Sequence, residues 1–154
     1  MKKIFALIGF LLLVGCSSQD LGMTDLKETY QESFANPIES LSEEQQSTIG
    51  LPKDIPFSLS SVGATTEDNQ VQIEYQSDSS ERLLVTTIFQ PGNILQDLEQ
   101  QLNLNSGAVA GAEERNDSFY MEWYNGDQDV IYQVEYFSSE EDRAEQTLNI
   151  ANSI

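Results

Sequence analysis

Carboxylates are the main chemical groups that this sequence offers. The 154-residue chain has 26 Asp and Glu residues against 7 Lys and Arg, with one cysteine and no histidine. Glu113–Glu114, and Glu122 with Glu135, are the pairs that could do acid–base chemistry, which needs two carboxyl groups in one cleft. Because so many acids produce such pairs by chance, we interpret them as surface or structural groups. We therefore expect no catalytic residues and no enzyme.

Other chemistries are limited by composition. The absence of histidine removes Ser-His-Asp and Cys-His catalysis and nearly all catalytic zinc sites. A formal net charge of −19 argues against nucleic acid as a partner, since phosphate binding needs Lys and Arg. The acidic stretch 125–129 fails the EF-hand pattern, because Val130 and Tyr136 stand where Gly and Glu are required. We predict a solvated turn there, with no metal ligand and no cofactor.

The single cysteine, Cys16, lies in a sequence pattern that is more specific than the acid pairs. Lys2 and Lys3 precede an apolar run of eleven residues, Ile4–Val14. A helix of that length spans only ~17 Å, too short to cross ~30 Å of hydrocarbon, and the layout is that of a signal peptide. The run ends in the sequence Leu13-Val14-Gly15-Cys16, which resembles the lipobox of bacterial lipoproteins.

The resemblance to the lipobox implies how the chain is attached. Residues 1–15 would be a cleaved signal peptide, and Cys16 would become the first residue and carry a diacylglyceryl group. Two acyl chains hold a protein stably on a bilayer. We therefore expect a protein anchored to the cell membrane on its extracytoplasmic face, with residues 16–23 as the tether. Without residues 1–15 the chain has no second cysteine, so no intramolecular disulfide can form.

Two helices are predicted in residues 24–50. Leu26, Tyr30 and Phe34 recur every four residues and predict a helix over 24–35. This helix could stand in the tether, but its apolar stripe favours packing on the domain. A second helix is predicted over 37–49, begun by Asn36 as N-cap and ended by Gly50.

Residues 51–154 predict an α+β domain. Alternating or continuous apolar residues indicate strands near 57–61, 71–75 and 83–89, and a weaker one over 108–114. Leu95, Leu98 and Leu102 share one face of a predicted helix that ends at 105–107. The final helix is predicted to begin at Ser138, in a capping box with Glu141. Its predicted buried stripe consists of Ala144, Leu148, Ala151 and Ile154.

These elements give the order βββα twice. With a hairpin before the final helix, they predict an antiparallel sheet of about six strands with helices on one face. One or two N-terminal helices precede this domain.

The hairpin is the clearest element. Phe119, Met121 and Trp123 point to one side, the chain turns at Asn125-Gly126, and Val130, Tyr132 and Val134 point to the same side on return. A two-residue loop would oppose Glu122 to Asp129, so we favour a four-residue loop over 125–128, which opposes Glu122 to Ile131. Both registers make Trp123 and Tyr132 core residues. Tyr120, Tyr124 and Phe137 then lie on the outer side and form a candidate contact patch.

A second resemblance covers residues 51–154. The stretches LPKDIPF, VQIEY, WYNGDQDVIYQVEY and LNIANSI are similar to an uncharacterised extracytoplasmic domain family found in Gram-positive lipoproteins and membrane-bound regulators. The family has no established activity, so the resemblance transfers no residue role.

The leading functional hypothesis is an envelope lipoprotein whose domain is a binding or interaction module, or an accessory to an envelope protein partner. The alternative is an extracytoplasmic sensor or regulatory domain that acts through a membrane partner. A third hypothesis, a small carboxylate-dependent hydrolase, has only the chance pairs of acids in its favour.

Overall fold

A single seven-stranded antiparallel sheet organises the protein. The computed structural model describes residues 21–92 and 94–154. The strands are β1 (Leu59–Glu67), β2 (Gln70–Ser77), β3 (Arg82–Phe89), β4 (Gln100–Asn103), β5 (Val109–Glu114), β6 (Ser118–Asn125) and β7 (Val130–Phe137). Their order across the sheet is β1-β2-β3-β7-β6-β5-β4. The predicted α+β class and antiparallel sheet are confirmed, whereas six strands in a βββα-βββα order is wrong.

The order fails because residues 94–104 do not form the predicted helix of Leu95, Leu98 and Leu102. Residues 100–103 form β4 and pair with β5, and the two strands are joined by a turn in which the Gly107 N–H donates to the Leu104 carbonyl. Gly107 has a φ of +87°, so the glycine that we interpreted as a helix end serves a hairpin turn instead. Residues 94–99, here called the strap, contain no helix or strand. β3 ends at the same end of the sheet at which β5 begins. Because β4 is antiparallel to β5, β4 begins at the opposite end, and the strap connects the two ends.

The N-terminal helices are shorter than predicted. They are α1 (Met23–Thr29), a π-helical segment (Gln31–Ala35), α2 (Asn36–Glu39) and α3 (Glu43–Ser47). Ser42 interrupts the helix predicted over 37–49, because its side chain caps α3 in a capping box with Gln45. Asn36 is not an N-cap, since the π-helical segment runs directly into α2. No helix in the described ranges has both the length and the apolar character needed to cross a bilayer.

The hydrophobic core lies between the helices and one face of the sheet, here called the inner face. Leu26, Phe34 and Ile38 from the N-terminal helices join the same cluster as Ile150 from the C-terminal helix. The prediction that the first helical segment packs on the domain is therefore confirmed. Leu21 is buried in this cluster too, so the last residues of the predicted tether 16–23 are part of the packed domain.

The β6–β7 hairpin confirms the predicted faces. Trp123 lies opposite Tyr132, and both are buried on the inner face. The loop has four residues, as predicted, but it spans 126–129 because Asn125 still pairs with Val130. Glu122 therefore faces Gln133 rather than Ile131. The shift is by two residues, so every side chain keeps its predicted face.

The C-terminal helix α4 (Arg143–Ser153) has Asp142 as its N-cap, four residues later than the predicted cap Ser138. Ser138 accepts from the Glu140 N–H in a turn and does not cap the helix. As a result Ala144 is exposed, whereas Thr147, Ile150 and Ala151 form the buried face.

Gly50 is required by close packing rather than by a helix end. A Cβ atom there would lie 2.8 Å from Cδ1 of the buried Tyr132 ring, and the Gly50 N–H donates to Thr87 Oγ1. The helix before it already ends at Ser47. The prediction that Gly50 ends a helix is therefore wrong. Gly50 is needed because a side chain there would clash with Tyr132.

Candidate functional site

The predicted acid pairs lie mainly on the outer face of the sheet, opposite the core. Register places Glu113, Tyr120 and Glu135 in one row across β5, β6 and β7, and Glu122 with Gln133 in a neighbouring row. The strap covers part of this surface. We call the following residues the outer-face cluster: Gln96, Glu113, Arg115, Tyr120, Glu122, Gln133 and Glu135.

Glu122 is the most enclosed member of the outer-face cluster, with only 2% of its surface exposed. Its Oε1 accepts the backbone N–H of Gln96 at 2.5 Å. Its Oε2 accepts the Tyr120 hydroxyl at 2.8 Å and the Gln133 amide at 3.2 Å. A buried carboxylate needs such donors to offset its lost hydration, and Glu122 in turn holds the strap on the sheet.

Arg115 forms ion pairs with two neighbouring carboxylates, those of Glu113 and Glu135. Its guanidinium donates to Glu113 Oε1 at 2.8 Å and to Glu135 Oε1 at 3.0 Å, and it lies 4.0 Å from the centre of the Tyr120 ring. Ser118 adds a further bond to Glu135. Glu114, on the other side of β5, pairs with Arg143. Each carboxylate of the two candidate pairs therefore has a hydrogen-bond or ion-pair partner within the fold.

The three residues of the candidate contact patch lie in different environments. Tyr120 is buried within the outer-face cluster. Phe137 lies under the Arg82 guanidinium, 4.0 Å from the ring centre, and Tyr124 donates its hydroxyl to Asp129. The function of these residues as a contact patch stays a prediction. Within residues 21–92 and 94–154, the exposed large apolar side chains are instead Ile94, Leu95 and Val109.

Two cavities open at the end of the sheet where the β1–β2, β4–β5 and β6–β7 loops meet. The first has a volume of about 190 Å³. Asp68, Gln90 and Asp129 line it, and these are the non-glycine residues of the described ranges with a positive φ. With Glu44 it presents three carboxylates, and we call it the acidic pocket.

The second cavity has a volume of about 340 Å³ and shares Gln128 with the acidic pocket. It lies between the C-terminal end of α3, the β4–β5 loop, the β6–β7 hairpin and the end of α4. Its side chains are aromatic, aliphatic, hydroxyl or amide groups, and we call it the amide cleft. The lining residues are Ser47, Ile49, Ser106, Trp123, Asn125, Gln128, Tyr132, Ala151, Asn152 and Ile154.

The acidic turn 125–129 is ordered by its own side chains. Asn125 Oδ1 accepts the Asp127 N–H, and Asn125 Nδ2 donates to Gln128 Oε1. Within the described part of the chain, no group of three or more Cys, Asp and Glu residues is arranged to hold a metal ion.

Comparisons with protein-family models, with curated proteins and with solved structures find no match to this chain. The lipobox and the similarity of residues 51–154 to an extracytoplasmic family therefore stay predictions. Cys16 itself lies outside the described residues.

Sequence reasoning missed several residues of these sites. Gln96 and Arg115 were not singled out, because their partners are distant in sequence or lie across strands. Asn152 and Ser106 meet only through the packing of α4 against the β4–β5 loop, where the Asn105 N–H donates to Asn152 Oδ1. The only local sequence pattern that indicated part of this site was Asn105-Ser106-Gly107, which is typical of a turn.

Burial of tyrosines predicts a loss of stability at alkaline pH. Burial raises the pKa of Tyr75 and raises that of Tyr136 to about 12. Burial, reinforced by the hydrogen bond to Glu122, also raises the pKa of Tyr120. Because the unfolded value is about 10, the stabilisation is complete below pH ~10 and is lost as pH rises through about 12. We expect tyrosinate absorbance to appear together with unfolding, as followed by circular dichroism.

Tyr75→Phe provides a control for the alkaline transition. The Tyr75 hydroxyl is buried without a hydrogen-bond partner among the described residues, so its removal breaks no bond. The variant should unfold at higher pH than the native chain. Ionisation of all tyrosines near pH 10 with the circular dichroism unchanged would contradict the burial described here.

Proposed function

We propose that this chain is a lipid-anchored lipoprotein of the extracytoplasmic membrane face, and that its domain is a ligand-binding module. The observation that carries the binding function is the pair of adjoining cavities at the loop end of the sheet, the acidic pocket and the amide cleft. Ligand sites in proteins are typically concave, partly apolar and lined by a few fixed polar groups. Both cavities are held by hydrogen bonds among residues distant in sequence, such as that from Tyr132 to the Thr48 carbonyl.

The occupied carboxylates support a binding function over hydrolysis. An acid–base pair needs carboxyl groups that can reach a substrate. Glu122 is covered by the strap, and Glu113 and Glu135 share Arg115. In this proposal the outer-face cluster has a structural role. It is a latch, meaning that Glu122 holds the strap on the sheet through its bond to the Gln96 N–H.

Anchoring is supported by the lipobox and by the short distance to the folded domain. Only residues 17–20 separate Cys16 from the buried Leu21. Five Cα–Cα steps reach roughly 18 Å, so a lipidated Cys16 would hold the domain close to the bilayer surface. An envelope protein partner would therefore contact the domain within about that distance of the bilayer surface.

Cys16→Ala is expected to abolish lipid attachment, because only a thiol can take the diacylglyceryl group. The variant should accumulate as an uncleaved precursor or be released from the membrane. Labelling with a radioactive fatty acid, followed by membrane fractionation, measures both effects. Ser17→Ala, beside the lipobox, is the control and should be processed normally. Normal labelling and membrane retention of the Cys16 variant would overturn the anchoring proposal.

The binding function has its own test. A ligand that binds only the folded state raises the melting temperature. We expect small-molecule fractions of a bacterial envelope extract to raise the melting temperature of the full-length chain in a saturable manner. If no fraction shifts the melting temperature, the domain is not the binding module proposed here.

A further inference from the structure

The amide cleft contains hydrogen-bond donors that no described protein group uses. The Nε2 group of Gln128, the Nδ2 group of Asn152 and the indole N–H of Trp123 have no partner within the described residues. The Ser106 hydroxyl accepts the Ala108 N–H and keeps its own proton to donate. Gln128 and Ser106 are exposed and Asn152 is partly exposed, so these donors are open to water and to a ligand.

Two backbone donors fix the orientation of the amide groups. The Asn105 N–H donates to Asn152 Oδ1 at 2.7 Å, so Nδ2 is the free end of that side chain. The Asp127 N–H donates to Asn125 Oδ1, so Asn125 Nδ2 must face Gln128 Oε1. A backbone N–H cannot act as an acceptor, and the free ends of Asn152 and Gln128 are therefore both donors.

Charge and shape narrow the class of ligand. Among the described residues, no carboxylate or cationic side chain lines the amide cleft, whereas the chain as a whole has a formal net charge of −19. Neutral donors suit oxygen acceptors, and the surrounding field disfavours an anion. Ile49 and Ala151 add an apolar surface. The volume, about 340 Å³, is at the lower end of ligand pockets, which suits a compact ring rather than an extended peptide.

We propose that the amide cleft binds an uncharged saccharide unit, whose hydroxyl or acetamido oxygens accept from Trp123, Gln128 and Asn152. This proposal rests on the binding function proposed above and names the class of its ligand. The Trp123 and Tyr132 rings pack against each other with centres 5.5 Å apart. Because the Tyr132 ring covers part of the indole, the sugar would contact only the part of Trp123 that lines the cleft.

Trp123 reports on this site directly, because it is the single tryptophan of the chain. Its emission is followed while the full-length protein, in a detergent without a sugar headgroup, is titrated with N-acetylglucosamine, glucose or glucuronate. We expect a saturable change with at least one of the two uncharged sugars. Glucuronate, which differs from glucose by a carboxylate, should bind at least about tenfold more weakly.

Two isosteric variants test the donors without removing the structural bonds. Asn152→Asp keeps the oxygen that accepts from Asn105, and Gln128→Glu keeps the oxygen that faces Asn125 and Tyr132. Each should weaken sugar binding at least about tenfold with little change in melting temperature. Gln101→Glu, an exposed site on β4, makes the same charge change away from the cleft and should bind like the native chain.

The outcomes separate this proposal from the binding function. No saturable change with either uncharged sugar, or native affinity in both isosteric variants, overturns the saccharide site. If sugars fail while an envelope fraction still raises the melting temperature, the ligand class is wrong and the binding function stands. If both fail, both proposals are wrong.

Discussion

Replacement of Trp123 by alanine should lower the free energy of unfolding by about 3–5 kcal/mol. Trp123 is 5% exposed, lies on the inner face of β6 opposite Tyr132 and belongs to the main hydrophobic cluster. Removing the indole deletes a large apolar contact and leaves a cavity that the rigid sheet cannot close. Because Trp123 also borders the amide cleft, water can enter the cavity, which places the cost towards the lower end of the range.

Urea unfolding followed by circular dichroism measures this loss. Val109→Ala is a suitable control, since Val109 is apolar but 50% exposed on the same sheet and should cost much less. The native tryptophan emission should be blue-shifted. An emission maximum at the solvent value, or equal stability losses in the two variants, would show that Trp123 is not a core residue.

Glu122→Ala should cost about 3 kcal/mol, because three groups lose their acceptor at once. The Gln96 N–H, the Tyr120 hydroxyl and the Gln133 amide all donate to this carboxylate, which is almost fully buried. Loss of the latch should also free the strap from the outer face. We therefore expect two effects, a lower free energy of unfolding and faster proteolysis within residues 94–99.

Glu74→Ala separates the latch from a general effect of charge. Glu74 lies on the same outer face and pairs with Arg82 at 3.5 Å, but this pair is exposed and should contribute less than about 1 kcal/mol. Removing either acid lowers the net negative charge equally. If both variants lose the same stability, or if the strap is cleaved equally in both, Glu122 does not act as a latch.

Local sequence patterns determined the elements whose residues alternate or recur over a single segment. The β6–β7 hairpin was predictable because a period of two fixes which side chains share a face, and that assignment survives a shift of two residues in register. The packing of Leu26 and Phe34 followed from their helical spacing. The antiparallel α+β class followed from short strands joined by turns. The lipobox assignment rests on sequence alone, and the structure does not describe those residues.

Tertiary structure decided the conformation of residues 94–104. Its leucines suit an amphipathic helix, but residues 100–103 pair with β5, and Gln96 is held by a carboxylate 26 positions later in the chain. The helical spacing of the leucines and the Gly turn are both local sequence patterns. Neither pattern shows the interactions that a segment makes with residues distant in the sequence. Long-range pairing and the burial of Glu122 therefore override the local preference.

The candidate sites depend on tertiary structure even more strongly. The sequence shows that Trp123 and Tyr132 share a face, but not that Asn152 and Ser106 reach the same cleft. Those residues meet because α4 returns along the inner face and ends beside the β4–β5 loop, where Asn105 bonds to Asn152. A chain with many acids also gives no local sign of which carboxylates are buried. Only the packed sheet, which places Glu122 beneath the strap, distinguishes it from the solvated acids around it.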